Sequence, residues 1–221
     1  MNFLRDTKKR YRVKAEDEKA EWFAKRTMMH ISLVQKYLQR IQMLGLPEID
    51  KGLLEEEMEH DASKWREPEY EPYIHTSWRY RQKRLGLDYE LPEAMDDKMN
   101  EATFHHIKNN RHHPEYWDDT VTIDCINQAN RDKPSGRQKV DATGMPLTYI
   151  GSMMADWLAM SEEKSTNVED WIRGNVNVRW EFTPPQVALM HRIAKEVKCD
   201  EGKSLRSESA YCGSRRMARV P

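Results

Sequence analysis

Apolar residues recur at three- and four-residue intervals through long stretches of this chain, and runs that alternate apolar with polar positions are rare. That periodicity predicts helices, each with one buried stripe. A first helix is expected over residues 22–44, with Val34, Tyr37, Leu38 and Ile41 on one face and Gly45 and Pro47 as its stop. A second is expected from Asp50, a suitable N-cap, to Trp65, with a stripe through Leu54, Met58, Asp61 and Trp65. A third spans 92–110, with Met95, Met99, Ala102 and His106 inward, and a short helix covers 119–129. A fourth spans 146–161, with Tyr149, Met153, Asp156 and Met160 on one face, and a last one runs over 184–198. The Pro-, Tyr- and Arg-rich stretch 67–89 reads as a partly helical loop over the core, able to serve as a lid. Residues after 200 are polar, with little to bury, and read as a frayed tail. The chain therefore divides into an N-terminal extension (1–21), one helical domain (22–198) and a polar tail (199–221). Met28, Met29, Met153, Met154 and the seven tryptophans are read as core filling in a chain with few Ile and Val.

Charge narrows the partners. The 221 residues set 36 basic side chains against 37 acidic ones, a net charge of −1, so there is no global basic field and no stable nucleic-acid partner is expected. No apolar run approaches the roughly 18 residues of a membrane helix. The start, MNFLRDTKKRYR, carries charges where a signal peptide would be apolar, and a soluble cytoplasmic protein without a membrane partner is the expectation. Cys125, Cys199 and Cys212 are too few and too widely spaced for a disulfide framework or a paired-cysteine zinc knuckle. The sequence leaves formation of a homo-oligomer open.

The chemistry lies in polar residues that fall on apolar stripes. Of the eight histidines, His30 shares its face with Val34, Tyr37, Leu38 and Ile41. His106 is the inward member of its pair, since His105 falls with Lys98, Glu101 and Asn109; His60 lies at the edge of the stripe that contains Asp61. An inward carboxylate without a partner costs several kcal/mol. A single inward histidine is ordinarily a hydrogen-bonded core residue, and an inward aspartate can cap a neighbouring helix. Two inward carboxylates and several inward histidines on separate helices are harder to satisfy by mutual hydrogen bonds. A divalent cation satisfies them together, and imidazole nitrogen with carboxylate oxygen suits Mn, Fe, Co, Ni or Zn.

The order of these residues, His30, then the doublet His60-Asp61, then a distant Asp156, resembles the HD-domain superfamily of metal-dependent phosphohydrolases, over about residues 23–198. In HDASK, Lys64 occupies the position where that family commonly has a lysine. HDxSK, followed by HxxxNRHHPEYW from His106 to Trp117 and then MADW, more specifically resembles an uncharacterised group of HD-like proteins encoded in phage genomes, which would act in a host cytoplasm. The resemblance implies an all-α, HD-domain-like helical bundle with a metal site between helices. It implies that His30, His60, Asp61 and Asp156 ligate one metal, that Asp61 or Asp156 orients the attacking water, and that Lys64 neutralises charge on phosphoryl oxygens. His112 and His113 resemble the extra histidines of two-metal members such as the HD-GYP cyclic-dinucleotide phosphodiesterases, although no GYP triplet follows Glu115. With His106 they would hold a second metal; contact with a substrate phosphate, or capping of the preceding helix, fits them equally. Asn110 and Arg111 would hold phosphate or sugar.

The implied activity is hydrolysis of a phosphoester of a nucleotide or deoxynucleotide, a small-molecule substrate, with one or two divalent transition metals (Mn, Co, Ni, Zn or Fe) as cofactor. Six of these candidates, His30, His60, Asp61, His106, His112 or His113, and Asp156, would suffice for a rival reading, an HD-fold di-iron oxygenase, and a third reading is a non-catalytic, metal-containing nucleotide-binding protein. The run WRYRQKR, residues 78–84, mixes rings and cations in a way that suits nucleotide contacts, though such a run is more often an ordinary solvated helix face.

Overall fold

The protein is seen here in a computed structural model that describes residues 3–50, 52–53, 57, 59–125 and 139–197. Its first helix, α1 (Phe3–Met43), has 41 residues and is about 60 Å long at the usual helical rise. It starts well before residue 22 because no glycine or proline interrupts the chain between Phe3 and Met43. Its end is as expected: Gly45 has φ +60°, the left-handed conformation that closes a helix.

The expected helix over 50–65 is not continuous. Asp61 has φ 60° and ψ 16°, and a single 3-10 turn, Ala62–Trp65, follows it. Trp65, expected inside the stripe, is 37% exposed; Leu54 and Met58 of the same stripe lie outside the described residues. The stretch read as a partly helical loop is helical over most of its length, as α2 (Tyr70–Arg84). It packs against α1 and against α3 (Met95–Asn109). Of the short helix expected over 119–129, a 3-10 turn at Ile123–Cys125 is described.

The core forms where α1 lies along α4 (Leu147–Lys164). Val34, Leu38 and Ile41 meet Ile150, Met153, Met154 and Leu158 there. Burying each such side chain contributes about 1.5–3 kcal/mol. Gly151 lets the segment after α1 approach α4, since a β-carbon at this position would stand 3.0 Å from Ile49 Cδ1. Two further helices close this core, α5 (Val168–Asn175) through Val168 and Ile172, and α6 (residues 184–197) through Leu189, Met190 and Ile193. Helix α5 was not foreseen, nor was a two-residue parallel ladder that pairs β1 (Val140–Asp141) with β2 (Trp180–Glu181). Buried Gln186 ties α6 to the chain after β1, donating from Nε2 to the carbonyls of Ala142 and Met145.

The fold is thus all-α apart from that short ladder. Met153 and Met154 are core residues, but Met28 and Met29 are more than half exposed, on the side of α1 away from Val34 and Leu38. Among the described residues no helix is long and apolar enough to cross a membrane. The tail expected after residue 200 lies outside the described residues.

Candidate metal centre

Adjacent residues of an α-helix point about 100° apart, so His60 and Asp61 could not face one point from a regular helix. The left-handed backbone at Asp61 breaks that constraint. Aspartate tolerates this conformation better than most residues, and such strain persists where the surroundings enforce it. The result is a fully buried Asp61 carboxylate encircled by imidazoles. His106 Nε2 lies 3.2 Å from Oδ1, with His60 Nε2 at 3.7 Å and His112 Nε2 at 3.9 Å from the same oxygen. His30 Nε2 lies 3.7 Å from Oδ2, which also receives Lys64 Nζ at 2.5 Å. Asp156, from α4, places Oδ1 3.1 Å from His30 Nε2.

These side chains come from separate pieces of backbone: His30 from α1, His60 and Asp61 from the turn before residue 62, His106 from α3, His112 and His113 from the connection after it, Asp156 from α4. Pro114 opens a 3-10 turn, Pro114–Trp117, immediately after the histidine pair and holds it against the cluster. The donor atoms of His30, His60 and Asp156 form one group within 4.8 Å of one another, and those of His106, His112 and His113 form another; Glu57 makes a third such set with one histidine from each, His60 and His112. Asp61 stands between the two groups.

The matched span of a family model contains every one of these residues: the model covers 19–196, most of the chain. The chain belongs to DUF5662, a family of unknown function. No curated protein and no solved structure matches it. The DUF5662 domain therefore has to be interpreted from its own side chains.

Those side chains fit a divalent cation. Both ring nitrogens of His60 and Nε2 of His113 are buried without a hydrogen-bond partner among the described residues, a costly state for groups that ligate metals readily. Ligands about 2.1 Å from a tetrahedral metal stand about 3.4 Å apart, and the four histidine distances to Asp61 bracket that value. Four of the five imidazoles, all but His113, also have an acidic group behind them among the described residues. His30 Nδ1 lies 2.6 Å from Glu163 Oε1, and His106 Nδ1 lies 2.9 Å from Glu69 Oε2. The Nδ1 atoms of His60 and His112 each lie 3.7 Å from Glu57 Oε2. Carboxylates placed this way orient metal-bound histidines and make them more basic.

Electrostatics follows the geometry. Burial would raise the Asp61 carboxyl, but Lys64, His60 and His106 hold it well below its usual range. For Glu57 burial is likewise outweighed, by His112 and His60, which hold it down to about 2. Asp156 is lowered against its burial by His30. Burial alone would lower His30, yet Asp156 and Glu163 bring it up to about 9. His113 goes the other way, depressed by burial and by His112 and His106, and so stays a neutral nitrogen donor.

Ten residues were singled out from the sequence, and seven of them, His30, His60, Asp61, His106, His112, His113 and Asp156, converge on this centre. Lys64 reaches it through Asp61 and also lies over the Tyr73 ring. Asn110 supports His106, with Nδ2 3.1 Å from both His106 Nδ1 and Ser63 Oγ. Arg111 donates from its guanidinium to Tyr149 Oη of α4 at 2.6 Å and lies over the Tyr149 ring. The WRYRQKR run lies on α2, and its Arg81 guanidinium stacks on Trp22 and Trp78 while Arg79 pairs with Asp96. Glu115, beside the histidine pair, accepts from Trp180 Nε1 and is no part of the cluster. Glu57, Glu69 and Glu163 went unrecognised. Glu163 continues the spacing of Tyr149, Met153, Asp156 and Met160 by three more residues, a signal available in the sequence. Glu57 and Glu69 flank the broken turn, where no helical period applies.

Proposed function

We propose that this chain is a metal-dependent phosphohydrolase of the HD type, cleaving a phosphoester of a nucleotide or deoxynucleotide. One observation carries the reading: a buried aspartate encircled by four histidine Nε2 atoms, with a second aspartate beside it and the Lys64 ammonium on its Oδ2. His30, His60, Asp61 and Asp156 would hold one cation, and Asp61 with His106, His112 and His113 a second. A divalent metal supplies a polarised water and a site for a phosphoryl oxygen.

The remaining work falls to the chain. The carboxylate of Asp156 is 16% exposed where that of Asp61 is 2% exposed, so it is the group placed to accept a proton from the water that attacks phosphorus. Lys64, 18% exposed at its side chain, offers its ammonium to a phosphoryl oxygen as the P–O ester bond lengthens. Arg111 adds a planar donor fork next to His112, already oriented by Tyr149. Both favour an anionic substrate.

The test is phosphate release from a panel of nucleoside and deoxynucleoside phosphates, with Mn, Co, Ni or Zn supplied, under anaerobic conditions. Turnover by the wild type and none by Asp61→Ala is the expected result. Consumption of dioxygen with two bound irons would replace this reading by an oxygenase, and tight nucleotide binding without turnover by a binding protein.

A further inference from the structure

Each glutamate behind the histidines serves one candidate metal position, except one. Glu163 stands behind His30, a member of the first group, and Glu69 stands behind His106, a member of the second. Glu57 stands behind His60 of the first group and His112 of the second, with the same oxygen, Oε2, 3.7 Å from each Nδ1. The two rings lie 4.3 Å apart, tilted at 35° to one another. One carboxylate, Asp61, lies at their Nε2 ends, and another, Glu57, at their Nδ1 ends. Glu57 is itself buried.

A neutral imidazole has one N–H, and the nitrogen that carries it cannot bind a metal. At 3.7 Å Glu57 is beyond hydrogen-bond reach, so its influence is electrostatic; Asp61 exerts a matching pull at the Nε2 ends, and a cation held there would offset it, so that Glu57 then draws the proton of each ring to Nδ1 and leaves Nε2 free. No hydrogen bond from another group competes for His60, neither of whose nitrogens has such a partner among the described residues.

We propose that Glu57 is a positioning residue shared by both metal positions, setting the Nε2-ligating tautomer of His60 and His112 at once. The inference rests on the metal-centre reading above, though not on the reaction assigned to it. It makes a statement that Glu69 and Glu163 do not share: affinity at the two positions is coupled through a residue that touches neither metal.

The experiment is titration of the metal-free full chain with Co(II), read by calorimetry and by the visible absorption of bound cobalt, in wild type and in E57Q, E69Q and E163Q. Wild type is expected to bind two equivalents. E57Q should still bind two at saturation, with both steps weakened about 10- to 100-fold, the usual cost of losing such a support. E163Q should weaken one step and E69Q the other. E57D, which keeps the charge, should recover part of the loss at both steps, and thermal unfolding of the metal-free variants checks that each is folded. If E57Q weakens a single step, leaves both unchanged, or binds only one equivalent, the inference is overturned; the last result would make Glu57 a ligand itself. A wild type that binds no Co(II) overturns the metal centre and Glu57's role together. Two equivalents in a protein that releases no phosphate overturn the hydrolase alone.

Discussion

Asp61 and Asp118 are both buried carboxylates, and their surroundings differ in kind. Asp118 accepts from the backbone N–H and hydroxyl of Thr120 at 2.9 and 2.6 Å, and from the N–H of Asp141 at 2.8 Å. Its partners are neutral donors that fasten one loop to β1, and its backbone has ordinary negative φ. Asp61 has four imidazoles and an ammonium around it, sits in the left-handed region, and has no backbone donor to its carboxylate among the described residues. A carboxylate whose lone pairs are filled by backbone donors needs nothing more. One surrounded by groups able to ligate a metal leaves those groups with unmet capacity, and that surplus is what makes the Asp61 cluster the candidate site.

The sharpest way to break the comparison is to remove each carboxylate. Asp61→Ala should abolish metal retention in protein purified without chelator, measured as metal per chain by elemental analysis, while folded Asp118→Ala retains its metal. Equal metal loss in both variants would erase the distinction. Next in size is stability: Asp118→Ala should cost about 1–3 kcal/mol in urea unfolding, since it leaves buried donors without an acceptor. Asp118→Asn should cost less, and its pH dependence carries a sign. Hydrogen bonds from Thr120 and Asp141 outweigh the effect of burial and lower the Asp118 carboxyl below its ordinary value. Its contribution is therefore present above the unfolded carboxyl value, about 3.9, and is lost as pH falls through the lower folded one. The gap in stability between wild type and Asp118→Asn should accordingly narrow below about pH 4.

Smaller effects sharpen the picture around the centre. Arg111→Lys keeps the charge but loses the planar fork held by Tyr149, and should raise KM for a phosphorylated substrate about tenfold with kcat nearly unchanged. His105→Ala is the smallest change. His105 is 39% exposed at its side chain and bonds the outer oxygen of Glu69, 2.7 Å from Oε1, whereas His106 holds Oε2. Its loss should leave metal stoichiometry intact and alter cobalt affinity by less than about threefold, because the oxygen behind His106 is undisturbed.

Much of this centre was legible before any coordinate. The inward placing of His30, His106 and Asp156 follows from helical period alone: His30 lies four and seven places from buried Val34 and Tyr37, His106 four and seven from Ala102 and Met99, and Asp156 three and seven from Met153 and Tyr149, so each shares a buried face. The same reasoning separated His106 from His105. It failed for Trp65 because the helix it presumed ends in the turn at Asp61, and for Met28 and Met29 because a methionine is apolar without being obliged to face inward. It found α2 only as a partly helical loop, because Pro and Tyr content disguised a helix that is nonetheless held by Trp78, His75 and Pro72 against its neighbours.

What the sequence by itself determined is the set of helices, the faces they bury, and most of the residues that could ligate a metal. Those depend on spacing along one element, and spacing is local information. Only the tertiary structure decided that His60 and Asp61 can face one point, that Asp61 stands between two groups of histidines, and that Glu57, Glu69 and Glu163 stand behind them. Each of these is a distance between residues on different pieces of backbone, set by how α1, α3, α4 and the turn at Asp61 close on one another. No periodicity encodes such a distance; packing does.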